Sequence, residues 1–280
     1  MTSLIKLFRT RLPALAQRIP WKYILAVTTG TLLLAWLIYT PAGLLGKADA
    51  IGYAVCHRID ARSFHLGERQ IPLCARCTGQ YLGAMLGLAY QLLLGRRRTG
   101  TPHWGVILVL GTLATAYAVD GLNSYLHLLP NMSRFYIYEP NNTLRLLTGT
   151  GLGLGISVAL LPAFHQTMWK TWSRRPALEG FRSLMGLLAL AACVDLLVLT
   201  ENPLILYPLT LLSAAGVMVL LTMVYSMVFV MVFRVENRFE RASQLAFPLT
   251  AGFAIALLQI AALDYVRYLF TDTWGGFHFG

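Results

Sequence analysis

"LILYPLTLLSAAGVMVLLTMVYSMVFVMVF", residues 204–233, runs its whole length without a charged side chain. A stretch of roughly 18 or more apolar residues is long enough to cross a bilayer as a helix. The same reading carried outward along the chain gives seven candidate spans, at 21–40, 78–95, 103–122, 143–163, 181–200, 204–233 and 245–270. Composition agrees, because 56% of the 280 residues are hydrophobic and only 12% are charged, whereas a soluble domain carries about 25% charge. The chain is therefore expected to be all-α: a polytopic transmembrane bundle of about seven spanning helices, one integral domain over 1–280 embedded in the lipid bilayer. The apolar run from Tyr23 to Tyr39 exceeds the core of a signal peptide, and the small-residue triplet Ala48–Ala50 lies well past it. The first helix is accordingly expected to persist as a span.

The net charge of +11 follows membrane topology, so no nucleic-acid partner is expected. Basic residues collect on the cytoplasmic side of membrane helices. With the N-terminus inside, Lys6, Arg9, Arg11, Arg18, Lys22, Arg96, Arg97, Arg98, Lys170, Arg174, Arg175, Arg182, Arg234, Arg238 and Arg241 are cytoplasmic. The remaining eight of the 23 basic residues, Lys47, Arg58, Arg62, Arg69, Arg76, Arg134, Arg145 and Arg267, then lie on the outer side. The expected location is the cell membrane, with an extracytoplasmic loop over 41–77.

Glycines at close spacing, Gly79, Gly83 and Gly87 in the second span and Gly149, Gly151, Gly153 and Gly155 in the fourth, read as close helix contact in lipid. Ionisable residues inside spans are costly and tend to face a partner or a cavity. Asp120, Arg145, Asp195, Asp264 and Arg267 all fall toward the outer side, which suggests a shared polar cavity there.

The loop beside that level reads "CHRIDARSFHLGERQIPLCARCTGQYLG", residues 56–83, with three of the four cysteines. Cys74 and Cys77 have the two-residue gap that lets two thiolates reach one tetrahedral ion, and Cys56 with His57 or His65 could complete the set. A C-x-x-C at a helix N-terminus outside the cytoplasm equally suits thiol exchange, with a quinone taking the electrons. A plain disulfide from Cys56 to Cys74 or Cys77 is the third reading. Cys193, inside the fifth span, reads as an ordinary buried thiol.

Four blocks, "CHRIDARSF", "PLCARCTGQYLG", "DGLN" (120–123) and "NNTLRLLTG" (141–149), resemble the signature of an uncharacterised family of bacterial and archaeal multi-pass membrane proteins. The resemblance covers about 50–155 and leaves the helices over 181–270 as additions. It implies that Cys56, His57, Cys74, Cys77, Asp120, Asn142 and Arg145 are recurring polar positions and leaves His65 outside the pattern. It carries no activity. Taken together, the expectation is an outward-facing Cys/His metal centre with Cys56, His57, Cys74 and Cys77 as ligands to zinc. Asp120 stands as a general base or a partner behind the ligands. Asn142 and Arg145 would grip an anionic group such as a phosphate or carboxylate. The rivals are a quinone-linked thiol oxidoreductase and a transporter or accessory subunit with a structural centre.

Overall fold

A computed structural model describes residues 21–129 and 135–276. Lys6, Arg9, Arg11, Arg18, Arg134 and His278 lie outside the described residues. Eight helices follow in order: α1 (Trp21–Tyr39), α2 (Gly43–Val55), α3 (Ala75–Leu94), α4 (Trp104–Leu128), α5 (Asn142–Met168), α6 (Phe181–Leu199), α7 (Pro203–Val232) and α8 (Ala246–Thr271). A hairpin of two short strands, β1 (His65–Leu66) and β2 (Arg69–Gln70), lies between α2 and α3. The protein is an all-α bundle.

Among the described residues six helices are long and apolar enough to cross a membrane, so an exact count of seven spans is not confirmed. The difference is α3, which is 20 residues long but carries Arg76, Gln80 and Gln91. Its polar residues face protein: Gln91 is 1% exposed and donates to Ser157 on α5 at 3.3 Å. Part of the stretch 41–77 that reads as loop is also helical, because α2, at 13 residues, is too short to span at about 1.5 Å per residue.

α3 packs against α5 more extensively than any other pair, and glycine makes this possible. A Cβ on Gly79 would strike the carbonyl of Leu146, and one on Gly153 would strike that of Gln80. At Gly83 it would lie 2.5 Å from the Thr150 carbonyl oxygen. Small residues let backbones approach where lipid supplies no hydrophobic drive. α4 packs on the other side of α5, while α7 pairs with α8 and packs against α3, and α1 lies along α8.

The helix connections gather at two ends. At one end, Ser173 N–H donates to Arg97 O at 2.8 Å, Thr99 N–H to Ser173 O at 2.9 Å and Lys170 N–H to Phe239 O at 2.9 Å. Arg97 also stacks on Trp169 with its guanidinium 3.9 Å from the ring centre. At the other end, His65 N–H reaches Glu201 at 3.1 Å, Arg62 reaches Ser124 O at 2.8 Å and Arg58 reaches Trp274 O at 3.0 Å. α3 runs between these ends as the longer apolar helices do.

One further expectation changes. Cys193 is exposed on the outer face of α6, because α6 turns its other side, with Leu184, Leu187 and Ala191 buried, toward the bundle. Two of the buried acids also have separate partners: Asp195 accepts from Thr150 at 2.6 Å, and Asp264 accepts from Trp36 at 3.2 Å. Each acid finds a partner on the helix it meets.

The glycine contact gives a direct test. Gly83→Val should destabilise the protein by about 1–3 kcal/mol or more through overpacking in reversible unfolding from mixed micelles. Gly155→Ala, whose Cβ meets nothing within 4 Å, should stay within about 0.5 kcal/mol of the parent. Equal effects at the two positions would refute the close α3–α5 approach.

Candidate metal centre

The cysteines meet because the loop folds back on itself. α2 ends at Cys56, whose extended backbone turns the chain away. A 3-10 turn over Asp60–Arg62 leads into the β hairpin, closed at Gly67 with φ +66°, where a residue without Cβ is at ease. Ile71 N–H donates to Phe64 O at 3.1 Å, and Phe64, Ile71 and Leu73 are buried. The Gln70 amide donates to Arg58 O at 3.0 Å and to Ser63 Oγ at 2.8 Å. The returning strand delivers Cys74 as the N-cap of α3, and Cys77 follows one turn later.

The Sγ atoms of Cys56, Cys74 and Cys77 all lie within 4.8 Å of one another. Cys56 and Cys74 are buried in an apolar cluster with Trp36, Val217, Leu257 and Ile260. The Cys74 N–H donates to Cys56 Sγ at 3.4 Å, a contact that favours negative charge on that sulfur. The Cys56 thiol is held well below its ordinary range because the Cys74 and Cys77 thiols donate to it, outweighing burial. The same pairing with Cys56 pushes Cys74 up to about 12. Cys56 is the first thiolate of the three.

His57 places Nδ1 3.8 Å from Cys56 Sγ, while its buried Nε2 has no hydrogen-bond partner. It adjoins the sulfur group without joining it. His65 is directed elsewhere, to Asp60 at 3.0 Å. The Cys56–His57 backbone is gripped from α8: Arg267 donates to Tyr53 O at 2.5 Å and Cys56 O at 2.6 Å, and its guanidinium lies 4.0 Å over the Tyr53 ring. Arg58, with φ +50°, pairs with Asp49 at 2.8 Å, and Arg69 shares the same carboxylate at 2.6 Å.

Asp120, Asn142 and Arg145 lie on α4 and α5 beside the hairpin, and Arg76 joins them from α3. The Asp120 carboxylate, 1% exposed, is ion-paired with Arg76 and accepts from Tyr138 at 2.8 Å and Thr148 at 3.4 Å. Asn142 accepts from Arg145 at 2.8 Å and donates to Ser63 O at 3.3 Å, which ties α5 to the cysteine loop. Asn123 takes the Ile137 N–H at 2.6 Å and gives to Tyr138 O at 2.8 Å, holding Tyr138 over Asp120. Arg62 falls to about 10, first by burial and then by the positive charges of Arg145 and Arg76. Burial and donation to Asp120 raise Tyr138 to about 12.

Sequence reasoning grouped Asp120, Asn142 and Arg145 but missed Arg76, Arg62 and Tyr138 as their companions. Arg76 sits inside "CARC", and its pairing with an acid on another helix has no local signal. Tyr138 follows residues outside the matched blocks, and only the Asn123 contacts reveal its place.

Residues 56–159 match a family described as "Predicted membrane protein (DUF2085)". An uncharacterised protein of Methanothermobacter thermautotrophicus is 32% identical over 105 residues, which cover 37% of this chain and 82% of that protein. The chain belongs to this family. An uncharacterised protein of Methanocaldococcus jannaschii is 28% identical over 123 residues, 43% of this chain and 70% of the relative. No solved structure matches. The matched region holds the cysteine loop, α3, α4 and most of α5, so Arg267 and Trp274 brace the loop from outside it.

The Arg76–Asp120 pair is testable by a double-mutant cycle. Asp120→Asn leaves a largely buried guanidinium uncompensated and should cost about 3–5 kcal/mol of stability. Adding Arg76→Gln to it should cost much less than the two single changes summed. Simple additivity would mean that the pair is not coupled.

Proposed function

We propose that Cys56, Cys74 and Cys77 bind a zinc ion, at the outer end of a multi-pass membrane protein, beside a cluster of arginines suited to an anionic group. The observation that carries the reading is the gathering of three sulfurs from two separate segments within 4.8 Å. Thiolates on one tetrahedral zinc, with Zn–S of about 2.3 Å, stand roughly 3.8 Å apart. The donor set suits zinc by chemistry, and the N–H of Cys74 on Cys56 Sγ favours the charged form. His57, with its unpartnered Nε2, is the candidate for a fourth ligand. If that position stays with water, zinc would supply a Lewis acid and a water of lowered pKa.

The chain's own residues would then bind and orient a substrate. Arg62, Arg76 and Arg145 against the single acid Asp120 leave net positive charge for a phosphate or carboxylate. Asp120 holds Arg76 in place, and Asn142 holds Arg145. An apolar groove of about 830 Å³ between α4 and α5, with Gly111 and Thr115 along its floor, ends at Tyr138 and Thr148, the two hydroxyls that reach Asp120. That continuity supports a lipid-linked anionic substrate. The orientation with the N-terminus in the cytoplasm rests on the basic connections Arg96–Arg98, Lys170–Arg175 and Arg234–Arg241 sharing one end.

Protein purified without chelator should carry about one zinc per chain, and Cys74→Ser should lose it. Chelation should expose the three thiols to alkylation under denaturing conditions with no reductant. A metal-free protein with two of those thiols unreactive until reduced would overturn the metal reading in favour of a disulfide. Reoxidation by a quinone would then identify thiol exchange.

Sidedness is read separately in intact cells. A new cysteine at Glu68 should be labelled by an impermeant thiol reagent above the parent background, and one at Ser173 should be protected. The reverse pattern would place the cysteine loop in the cytoplasm.

A further inference from the structure

A second site lies away from the arginines, between α1 and α8. A cavity of about 480 Å³ is lined by Trp36, Tyr39, Tyr265, Tyr268 and Trp274 together with Asp264. Its size falls within the range of roughly 300–1,000 Å³ usual for small-ligand pockets. Five aromatic rings around one acid is a composition with a chemical meaning. Asp264 is the only charged side chain lining the cavity among the described residues. It is 3% exposed; its Oδ2 accepts from Trp36 Nε1 at 3.2 Å, and its Oδ1 is buried without a hydrogen-bond partner. The charge of Arg267, one turn along α8, acts on Asp264, but the hydrogen bonds of the nearby cations go elsewhere. Lys47 donates to the carbonyl and hydroxyl of Thr40, each at 2.9 Å, and Arg267 donates to the carbonyls of Tyr53 and Cys56.

A buried carboxylate oxygen with no partner is costly inside a membrane protein, and a cation is the partner that removes the cost. Aromatic faces attract cations through their quadrupoles, best of all an alkylammonium whose methyl or methylene groups also shed water. The indole of Trp274 stacks against Tyr268 with centroids 5.6 Å apart, so two of the faces form a corner. Tyr39 and Tyr265 are largely exposed, at 82% and 66%, which leaves a way in from the side.

We propose that this aromatic cavity binds an alkylammonium group, with Asp264 as the counter-ion and Trp36, Tyr265, Tyr268 and Trp274 as the cage. The group is either the head of an amine-bearing lipid or a free alkylammonium solute, and the chemistry recognised is the same. The site does not depend on the zinc reading, although Trp36 also packs in the cluster around Cys56 and Cys74.

The full-length protein in maltoside micelles should bind tetramethylammonium and ethanolamine saturably by calorimetric titration. Asp264→Asn keeps the acceptor for Trp36 but removes the charge, and should weaken binding by about tenfold or more. Tyr265→Leu keeps bulk and removes a ring, and should weaken it several-fold, whereas Tyr265→Phe should not. Thermal unfolding and metal content, measured on each variant, identify any that has lost its fold or its centre. In nanodiscs, retention of phosphatidylethanolamine over phosphatidylglycerol by the parent but not by Asp264→Asn assigns the lipid head as the source. Binding of the free amines without that lipid preference assigns a solute. Equal binding by the parent and a folded Asp264→Asn, or no saturable binding of any of these probes, would overturn the proposal and leave Asp264 as a protonated partner of Trp36.

Discussion

The close approach of α3 to α5 is the constraint from which the cysteine-loop end of the molecule is built. At Gly149 the backbone of α5 lies so near the Arg76 carbonyl that no Cβ could be added. That contact sets where α3 stands along α5 within a fraction of a turn. Arg76 is thereby held opposite Asp120, and Arg145, one turn before Gly149, faces the cysteine hairpin. A larger residue at the crossing would separate the helices and break the register of every polar group above it.

The arginines at this end are tolerable because each has an oxygen to meet. Arg58 and Arg69 share Asp49, Arg76 holds Asp120, and Arg267 is spent on backbone carbonyls. Charges taken from water are destabilising unless paired and hydrogen-bonded. The cysteine-loop end therefore holds its arginines on carboxylate or carbonyl oxygens, although with two arginines on Asp49 and Arg267 on carbonyls the positive charge is not fully neutralised. In the group of Arg62, Arg76 and Arg145 positive charge likewise exceeds the one carboxylate, that of Asp120.

The division between the family region and the rest has a physical side. The Methanothermobacter relative is less than half as long as this chain, since the same 105 residues are 82% of one and 37% of the other. In this protein, α7 and α8 pack over the cysteine loop, bury Cys56 and Cys74 among Val217, Leu257 and Ile260, and fix the Cys56 carbonyl through Arg267. The later helices shield Cys56 and Cys74 from solvent. They also bring their own cavity, in which Asp264 stands among rings.

The sequence by itself determined the class and the approximate spans, and it singled out the polar residues of the cysteine-loop end. Long apolar runs, glycine spacing and the C-x-x-C are local signals: each states within a few residues what helix, contact or ligand gap it allows. Only the tertiary structure decided which groups meet. That Cys56 joins Cys74 across a hairpin while His57 stands beside the group and His65 turns to Asp60 depends on the fold-back of a loop whose bends carry little sequence signal. That Arg76 belongs to Asp120, that Asp264 and Asp195 keep separate partners, and that Cys193 faces outward all depend on the rotation of one helix against another. Periodicity shows which residues share a face, but the partner of that face is set by packing between segments far apart in the chain.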